Sequence, residues 1–343
     1  MGLAINDLIP RTEITLDDLK HKTFAIDSFN LLYQFLTTIR GQDGTLLQDS
    51  EGNVTSHLVG LFSRITNLMQ KDMKFIFVFD GKPPVLKLEE RERRKELKRE
   101  AEKEYEIAKE REDLDAMKKY ASRTATLTSE IIAESKQLVS AFGFPYVEAP
   151  SEGEAQVAAI VTNNDAFAAV SQDYDTLLYN VPTLIRNLSV AGKRKKSKTL
   201  GFETVQLELV KSADVLNSLG ISNDQLIMLS ILVGTDYNRK GIKGIGPKNA
   251  LKLVKQFGND YDQLFNHVKW NEQYDIPWED VYYTFKKMPV TNDYSLKFKK
   301  PDFALIKELL CEKHDFDNGR VEATLKKLDK SLNVGQKGLG DFM

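Results

Sequence analysis

Short apolar runs in this chain end on acidic residues or are closely followed by them, and no other feature restricts the possible folds as much. The acids concerned are Asp27, Asp80, Glu148, Glu152, Glu154, Asp173, Asp175 and Asp236. Runs such as "KFIFVF" are typical of buried strands in parallel sheets, which are apolar on both faces. Amphipathic helical patterns such as "NLLYQFLTTIR" alternate with them. We therefore predict an α/β fold with a parallel sheet.

Open parallel sheets bind ligands at the carboxyl ends of their strands, so these acids are expected to gather at one edge. Two carboxylates ~4 Å apart repel each other by about 4 kcal/mol at an effective dielectric of ~20. A hard divalent cation bound by oxygen atoms, Mg²⁺ or Mn²⁺, usually neutralises such a cluster. The pattern predicts two-metal phosphodiester chemistry.

Each acid also has an ordinary interpretation. A strand-end Asp is commonly a turn or N-cap residue. Ser151 and Glu154 match a capping box for the helix in "EGEAQVAAIV". Asp173 could cap a helix beginning near "YDTLLY", and Asp236 could stop a helix or lie in a turn. These interpretations do not explain why acids recur after so many apolar runs.

Composition limits the function less than the pattern does. The chain has 343 residues, 41% of them apolar, which suffices for one large domain or two smaller ones. The net charge of −2 gives no bulk signal for nucleic acid, but binding depends on the local distribution of charge. Cys311 is the single cysteine, no signal peptide is recognisable, and no apolar run approaches the ~20 residues that span a bilayer. An intracellular protein without a membrane partner is expected.

Residues 87–122 are dense in charge and contain no Gly or Pro. Opposite charges recur four residues apart, as in Glu89–Arg93 and Glu90–Arg94, which indicates a helix with little apolar surface to bury. Either this segment is a solvated surface helix or coiled coil, or it arches over a site.

Residues 224–258 carry two helical patterns around a Gly-rich turn, with Pro247 at the first position of the second helix. A Gly turn entering a helix presents backbone N–H groups to phosphate. Lysines recur on one helical face at Lys248, Lys252 and Lys255. We predict a helix-hairpin-helix contact to a duplex backbone, in which a side chain at Gly246 would block close approach and strain the turn. The basic segment 192–199 is a solvated loop, a localisation signal or a phosphate contact.

Taken together, "VFDGKPP", "APSEGEAQVA", "SQDYDTLLY", "LVGTDYN" and "GIKGIGPKNAL" resemble the flap endonucleases of the structure-specific 5′ nuclease family, over nearly the whole chain. The resemblance is greatest to archaeal members. It implies a mixed sheet between helical layers, a helical arch and a duplex-binding helical hairpin that holds a K⁺ ion. The implied ligands of two Mg²⁺ ions, for which Mn²⁺ can substitute, are Asp27, Asp80, Glu152, Glu154, Asp173, Asp175 and Asp236. Glu148 is not among them and is interpreted as a strand-end residue.

The resemblance also implies roles for residues outside the acidic cluster. Lys87 corresponds to an active-site lysine that stabilises the transition state, and its arginine partner is Arg94 or, with a short deletion in the alignment, Arg91. Tyr33 corresponds to a tyrosine that stacks on a base, although by itself it could equally be a core aromatic. The expected DNA contacts are Tyr33, Gly2, Arg40, Arg64, Gly244, Gly246, Lys248 and Lys252.

The last residues resemble the motif that binds the sliding clamp, PCNA. The matching positions are Gln336, Leu339 and Phe342, and Met343 replaces the usual second aromatic residue. The resemblance therefore divides the chain into a nuclease domain (1–330) and a flexible clamp-binding tail (331–343). Within the domain it implies an N-terminal nuclease region (about 1–100), an arch (about 87–122), an internal nuclease region (about 123–235) and the helical hairpin (about 224–258).

The implied function is structure-specific cleavage of 5′-flap DNA, with 5′–3′ exonuclease activity, in Okazaki-fragment maturation and long-patch base excision repair. The expected partners are branched DNA and the clamp, and the protein is expected to be a monomer on its own. Two alternatives remain: a related 5′ nuclease that prefers another DNA structure, and a non-catalytic clamp-associated protein. A non-catalytic protein would be expected to have lost some of the seven implied metal ligands, and all seven are present in this sequence.

Overall fold

The structure is a computed structural model that describes residues 5–189, 192–195 and 202–334. The described strands are β1 (Thr12–Ile14), β2 (Thr23–Asp27), β3 (Lys74–Phe79), β4 (Tyr146–Glu148), β5 (Ala168–Val170), β6 (Thr183–Arg186), β7 (Gly192–Lys195), β8 (Phe202–Val205) and β9 (Leu207–Lys211). The described α-helices are α1 (Ser28–Thr38), α2 (Ser56–Met69), α3 (Leu88–Glu110), α4 (Leu114–Ala121), α5 (Ser129–Ala141), α6 (Gly153–Thr162), α7 (Ser212–Leu219), α8 (Asn223–Val233), α9 (Pro247–Phe257), α10 (Tyr261–His267), α11 (Trp278–Lys286), α12 (Phe303–Lys307) and α13 (Asn318–Val334). Short 3₁₀ helices cover Asn6–Leu8, Asp17–Leu19, Val85–Lys87, Asp175–Tyr179 and Trp270–Glu272, and Glu308–Glu312 forms a π-helical turn.

The central sheet has the strand order β1-β9-β6-β5-β2-β3-β4. Strands β6, β5, β2, β3 and β4 run parallel to one another, whereas β9 pairs antiparallel with both β6 and β1. A separate antiparallel pair joins β7 to β8. The predicted α/β class and the mostly parallel mixed sheet are confirmed.

Helices cover both faces of the sheet because successive side chains of each strand point to opposite sides. In β3, Phe75 and Phe77 join a core formed with residues of α1, α2, α5 and α13. Ile76 and Val78 join the opposite core, to which α6 and α8 contribute. All four side chains are at most 1% exposed. Burial of each such side chain contributes about 1.5–3 kcal/mol relative to exposure, so the sheet is held between helical layers as expected.

Local capping fixes where several helices begin. Ser222 and Gln225 form a capping box at α8, and Pro247 occupies the first position of α9, as predicted. The capping box predicted at Ser151 and Glu154 is wrong, because the N-cap of α6 is Glu152. The Ser151 hydroxyl is already engaged, donating to the carbonyl oxygen of Lys82 at 2.8 Å.

The charged segment forms two helices, α3 and α4, rather than one. Glu112 takes a left-handed conformation with φ of 53°, which interrupts the helix. The Asp113 side chain then accepts a hydrogen bond from the N–H of Ala116 at 3.0 Å and starts α4 as its N-cap. Ala101, Ala108 and Met117 are buried, so the two helices pack instead of standing free in solvent.

No single helix in the described ranges is long and apolar enough to cross a membrane. The bent pair α7 and α8 passes the test of length and composition only when its two halves are taken together. Helices buried in a protein core pass the same test, and α8 is such a helix, with Leu226, Ile227 and Leu229 at most 1% exposed.

Candidate active site

The carboxyl ends of four neighbouring strands bring six of the predicted acids to one edge of the sheet. Asp27 is the last residue of β2, and Asp80 directly follows β3. Asp173 and Asp175 follow β5, on the other side of β2. The turn after β4 leads into α6 and carries Glu152 and Glu154. Parallel strands all end at the same edge, which explains how acids far apart in sequence become neighbours.

Backbone hydrogen bonds orient two of these carboxylates. Asp27 is the N-cap of α1 and accepts from the N–H of Asn30 at 3.0 Å. Asp80 accepts from the N–H of Gly153, in the first turn of α6, also at 3.0 Å. The N-cap interpretation of Asp27 is therefore correct, and the same carboxylate lies at the edge of the sheet with the other acids. A negative charge at a helix N-terminus is stabilised by the helix dipole.

Asn30 links two parts of the cluster. Its side-chain amide donates to Asp173 at 2.9 Å and accepts from the N–H of Gln172 at 3.2 Å. Asp173 is therefore held by α1 and does not cap the following 3₁₀ helix, whose N-cap is Tyr174. Asn30 was not predicted from the sequence, because an Asn in the first turn of a helix carries no signal for a contact 143 positions away.

Burial and mutual repulsion make several of these carboxylates hard to ionise. Burial is the main cause that raises the pKa of Asp27 to about 6, and the charge of Asp173 adds to it. Burial, with Asp27 and Glu152 nearby, raises the pKa of Asp80 well above its ordinary value. Burial and the neighbouring Asp175 raise the pKa of Glu154 in the same way. Such crowding of charge occurs at sites that hold a cation.

Two cations from the charged segment 87–122 reach the cluster. The Lys87 ammonium donates to Glu152 and lies 3.5 Å from a carboxylate oxygen of Asp236. The Arg94 guanidinium donates to the other oxygen of Asp236 at 2.6 Å. Burial alone would lower the pKa of Lys87, but Glu152, Glu154 and Asp236 together raise it above its ordinary value. Arg91 is exposed, so Arg94 is the arginine that contacts the predicted site.

The donor set fits a hard divalent cation by its chemistry, since the groups at this edge are carboxylates. Asp27 and Glu152 are both at most 5% exposed, and their neighbours have raised pKa values. Across the described ranges, however, no three His, Cys, Asp or Glu side chains converge closely enough to form a ligand set. Lys87 and Arg94 supply the counter-charge to Glu152 and Asp236 in this arrangement.

A cavity of about 720 Å³ opens beside the cluster, between α1 and the helices α3 and α4. Asn30 and Asp173 line one side of it, and Leu97 of α3 and Tyr120 of α4 line the other. Tyr33 also lines it and is 38% exposed, which excludes the interpretation of this residue as a core aromatic. The ammonium of Lys98 lies 5.3 Å from the centre of the Tyr33 ring.

The other expected DNA contacts differ in placement. Arg64, Lys248 and Lys252 are exposed, as a phosphate contact requires. Arg40 is turned inward and donates to the carbonyl oxygens of Leu36 at 2.7 Å and Gly44 at 2.9 Å. This placement argues against the DNA contact expected of Arg40, because its guanidinium closes the loop after α1.

Two glycines of the turn between α8 and α9, Gly244 and Gly246, differ in whether their backbone conformation tolerates a side chain. A Cβ added at Gly246 would meet open space, and the backbone there has φ of −91°, so the predicted strain is wrong at this position. Gly244 has φ of 83°, where an L side chain is strained. Gly2 and the clamp-motif residues Gln336, Leu339, Phe342 and Met343 lie outside the described residues.

Family models match two long segments of the chain. Residues 5–101 match the XPG N-terminal domain, and residues 143–236 match the XPG I-region. Flap endonuclease 1 of Hyperthermus butylicus is 47% identical over 98% of this chain and 97% of its own length. The corresponding protein of Pyrococcus abyssi is 45% identical over 98% of this chain and 96% of its own length.

Solved structures also resemble this chain over nearly its whole length. Flap endonuclease-1 from Methanococcus jannaschii superposes with a TM-score of 0.75 at 40% identity, covering 97% of this chain and all of the other. The catalytic core of Rad2 in complex with DNA substrate superposes with a TM-score of 0.68 at 23% identity, covering 96% of this chain and all of the other. At that identity, the likeness to Rad2 establishes only a common fold.

Proposed function

The chain belongs to the flap endonuclease family of nucleases, and from this membership we infer that it is a structure-specific 5′-flap endonuclease. It hydrolyses phosphodiester bonds where single-stranded and double-stranded DNA meet, with 5′–3′ exonuclease activity as well. One observation supports this proposal most strongly. Acids from the ends of four neighbouring strands lie at one edge of the sheet, close to Lys87 and Arg94.

The family's nucleases are metal-dependent, and in this chain the ion-holding residues would be the seven predicted acids at this edge. Two bound Mg²⁺ ions, or Mn²⁺ in their place, would supply an activated water and stabilise the leaving oxygen. Asn30 keeps Asp173 next to Asp27, and Gly153 orients Asp80 through its N–H. These contacts preorganise the carboxylates before any ligand binds.

The arch residues act on the DNA itself. The Lys87 ammonium and the Arg94 guanidinium lie against the acids, where they can donate to the scissile phosphate and stabilise its developing charge. Tyr33 presents its ring to the cavity, where a nucleobase next to that phosphate can stack on it.

Duplex DNA binds at the turn between α8 and α9 in this proposal. Lys248 and Lys252 are exposed and one helical turn apart at the start of α9, so both can contact one phosphate backbone. The open space around Gly246 lets that backbone approach the first N–H groups of the helix. A K⁺ ion at this turn, as the resemblance implies, would add positive charge facing the same phosphates.

Charge reversal at Lys248 and Lys252 together is expected to weaken binding to every duplex sequence alike. It should reduce the slope of log K against log salt by about one for each phosphate that the protein no longer neutralises. Fluorescence anisotropy with two flap substrates of unrelated sequence, at several KCl concentrations, measures both quantities. Lys326→Glu on the distant helix α13 is the control, and a weakening that depends on sequence would contradict a backbone-only contact.

The last residues bind a sliding clamp in this proposal, with Leu339 and Phe342 as apolar anchors, Gln336 as a polar contact and Met343 beside them. Deleting residues 336–343, or replacing Phe342 with alanine, should leave cleavage of an isolated flap unchanged and remove its stimulation by the clamp. Calorimetric titration of a cognate clamp into full-length and truncated protein checks this, and equal affinities would disprove the assignment.

The biological role proposed is Okazaki-fragment maturation and long-patch base excision repair, carried out by a monomer acting on branched DNA. Such substrates arise where DNA is replicated, so the proposed location is the cytoplasm, at the nucleoid.

The decisive experiment compares labelled 5′-flap, nicked, bubble and four-way substrates side by side, with Mg²⁺ and with EDTA. We expect preferred cleavage at the base of the 5′ flap, dependent on the metal. Preference for a bubble or four-way junction would identify a related 5′ nuclease instead. Binding to flaps without any metal-dependent cleavage would identify a non-catalytic, clamp-associated protein.

A further inference from the structure

Glu90 is a buried acid that the chemistry described above does not use. It lies in the first turn of α3, three residues after Lys87, yet its side chain is only 8% exposed. Its neighbours in the sequence, Glu89 and Glu92, are exposed as expected for a charged arch helix. A carboxylate that is buried must be compensated by hydrogen bonds or opposite charges.

Three arginines surround the Glu90 carboxylate. Arg93 donates to both of its oxygens, at 2.6 and 2.7 Å. Arg94 donates through Nε at 2.8 Å, and Nε of Arg239 lies 3.9 Å away. The hydrogen bond from Arg93, followed by that from Arg94, lowers the pKa of Glu90 to about 2, so the carboxylate is charged at any working pH.

The Arg94 guanidinium is divided between two carboxylates. Its Nε faces Glu90, while its Nη2 donates to Asp236 at 2.6 Å. Because the guanidinium is planar and rigid, fixing the direction of its Nε–H also fixes the directions of its Nη2 N–H groups. Without Glu90, Arg94 would keep one partner and could rotate freely about its long side chain.

Glu90 also lies between two parts of the chain, the helix α3 and the loop after α8. Arg93 and Arg94 belong to α3, whereas Arg239 follows Asp236 in the loop after α8. The carboxylate is therefore shared between the arch and the loop that carries one of the site's acids. An ordinary ion pair between residues four apart on a helix stabilises only that helix. The Glu90 carboxylate differs because it also lies near Arg239, outside α3.

We propose that Glu90 is a positioning residue of the active site, which aims the Nη2 group of Arg94 at Asp236 and the scissile phosphate by accepting the hydrogen bond from its Nε–H. Glu90 acts through Arg94 and does not touch the substrate. This inference rests on the proposed function, the cleavage of 5′-flap DNA at this site.

The test is a double-mutant cycle with Glu90→Gln, Arg94→Ala and the double variant, measured by single-turnover cleavage of a 5′ flap with Mg²⁺. Gln keeps the shape of the side chain but removes the charge that holds both arginines. We expect Glu90→Gln to slow cleavage by about tenfold, with Kd for the flap changed by no more than about twofold, and to cause no further slowing in the Arg94→Ala background.

Glu92→Gln is the matched control, since it is the same substitution in the same helix. Glu92 pairs with Lys95 at 2.9 Å, and its side chain is 57% exposed. Its rate should equal that of the wild type. Glu90→Asp, which keeps the charge but shortens the reach, provides a second cycle if Glu90→Gln lowers the melting temperature below the assay temperature.

Additive effects in the double variant would overturn the proposal, because Glu90 would then act independently of Arg94. A wild-type rate for Glu90→Gln would overturn it too, as would an effect confined to Kd. Wild-type protein on the same flap separates the two levels: no cleavage by the wild type refutes the proposed function, whereas cleavage with additive effects refutes only the role of Glu90.

Discussion

Asp80→Ala is expected to abolish flap cleavage while the protein still binds flap DNA. Asp80 accepts a hydrogen bond from the N–H of Gly153 and lies among buried acids. Its replacement by alanine removes an oriented carboxylate from the residues that would bind the metal ions. Metal ions supply several kcal/mol of transition-state stabilisation, which corresponds to a decrease of roughly a thousandfold or more in rate. Asp175→Ala should behave in the same way. Single-turnover cleavage with Mg²⁺ and anisotropy with the same flap measure the two properties.

Glu148→Ala is the matched control for this prediction. Glu148 also ends a strand at the same edge of the sheet, but its side chain is 65% exposed and pairs with Lys136 outside the cluster. It should cleave at the wild-type rate. A folded Asp80→Ala protein that cleaves at a similar rate with Mg²⁺ would refute the assignment of this edge as the metal site.

Lys87→Ala is expected to lower the single-turnover rate with little change in Kd. The ammonium lies against Glu152 and Asp236, where it can stabilise the negative charge that develops on the phosphate in the transition state. Loss of one preorganised donor costs about 3–4 kcal/mol at comparable sites, or roughly two to three powers of ten in rate. Rates at saturating protein and affinities measured without cleavage, in Ca²⁺, separate the two effects.

Lys136→Ala is the control for Lys87. It too is a partly buried lysine paired with an acid near the end of the sheet, 23% exposed and bonded to Glu148. Its removal should leave the rate unchanged. A large defect in binding with normal chemistry for Lys87→Ala would make Lys87 a phosphate anchor without a part in the transition state.

The positions of the acids were predictable because the relevant signals are local. Apolar runs such as "KFIFVF" identify buried strands, and parallel strands place their carboxyl ends at one edge whatever their order in the sheet. Asp27 and Asp80 could therefore be assigned to one site without knowledge of the topology. Pro247 was equally predictable, since the start of a helix tolerates its missing N–H.

The sequence could not decide between Arg91 and Arg94. Both follow Lys87 at helical spacings, of four and seven residues, so the helical period admits either. The choice depends on how α3 packs against the loop that carries Asp236, which is 142 positions from Arg94. The interruption at Glu112 was likewise missed, because a charged residue with positive φ has no distinctive pattern.

What the sequence determined by itself is the class of fold, the acidic edge and, through the family motifs, the chemistry expected there. Only the tertiary structure decided which polar side chains contact that edge and its arginine: Asn30 bonds to both Asp27 and Asp173, and Glu90 bonds to Arg94. Strand identity follows from the periodicity of neighbouring residues. Hydrogen bonds between distant side chains depend instead on the packing of whole elements, because a shift of an ångström or two makes or breaks them.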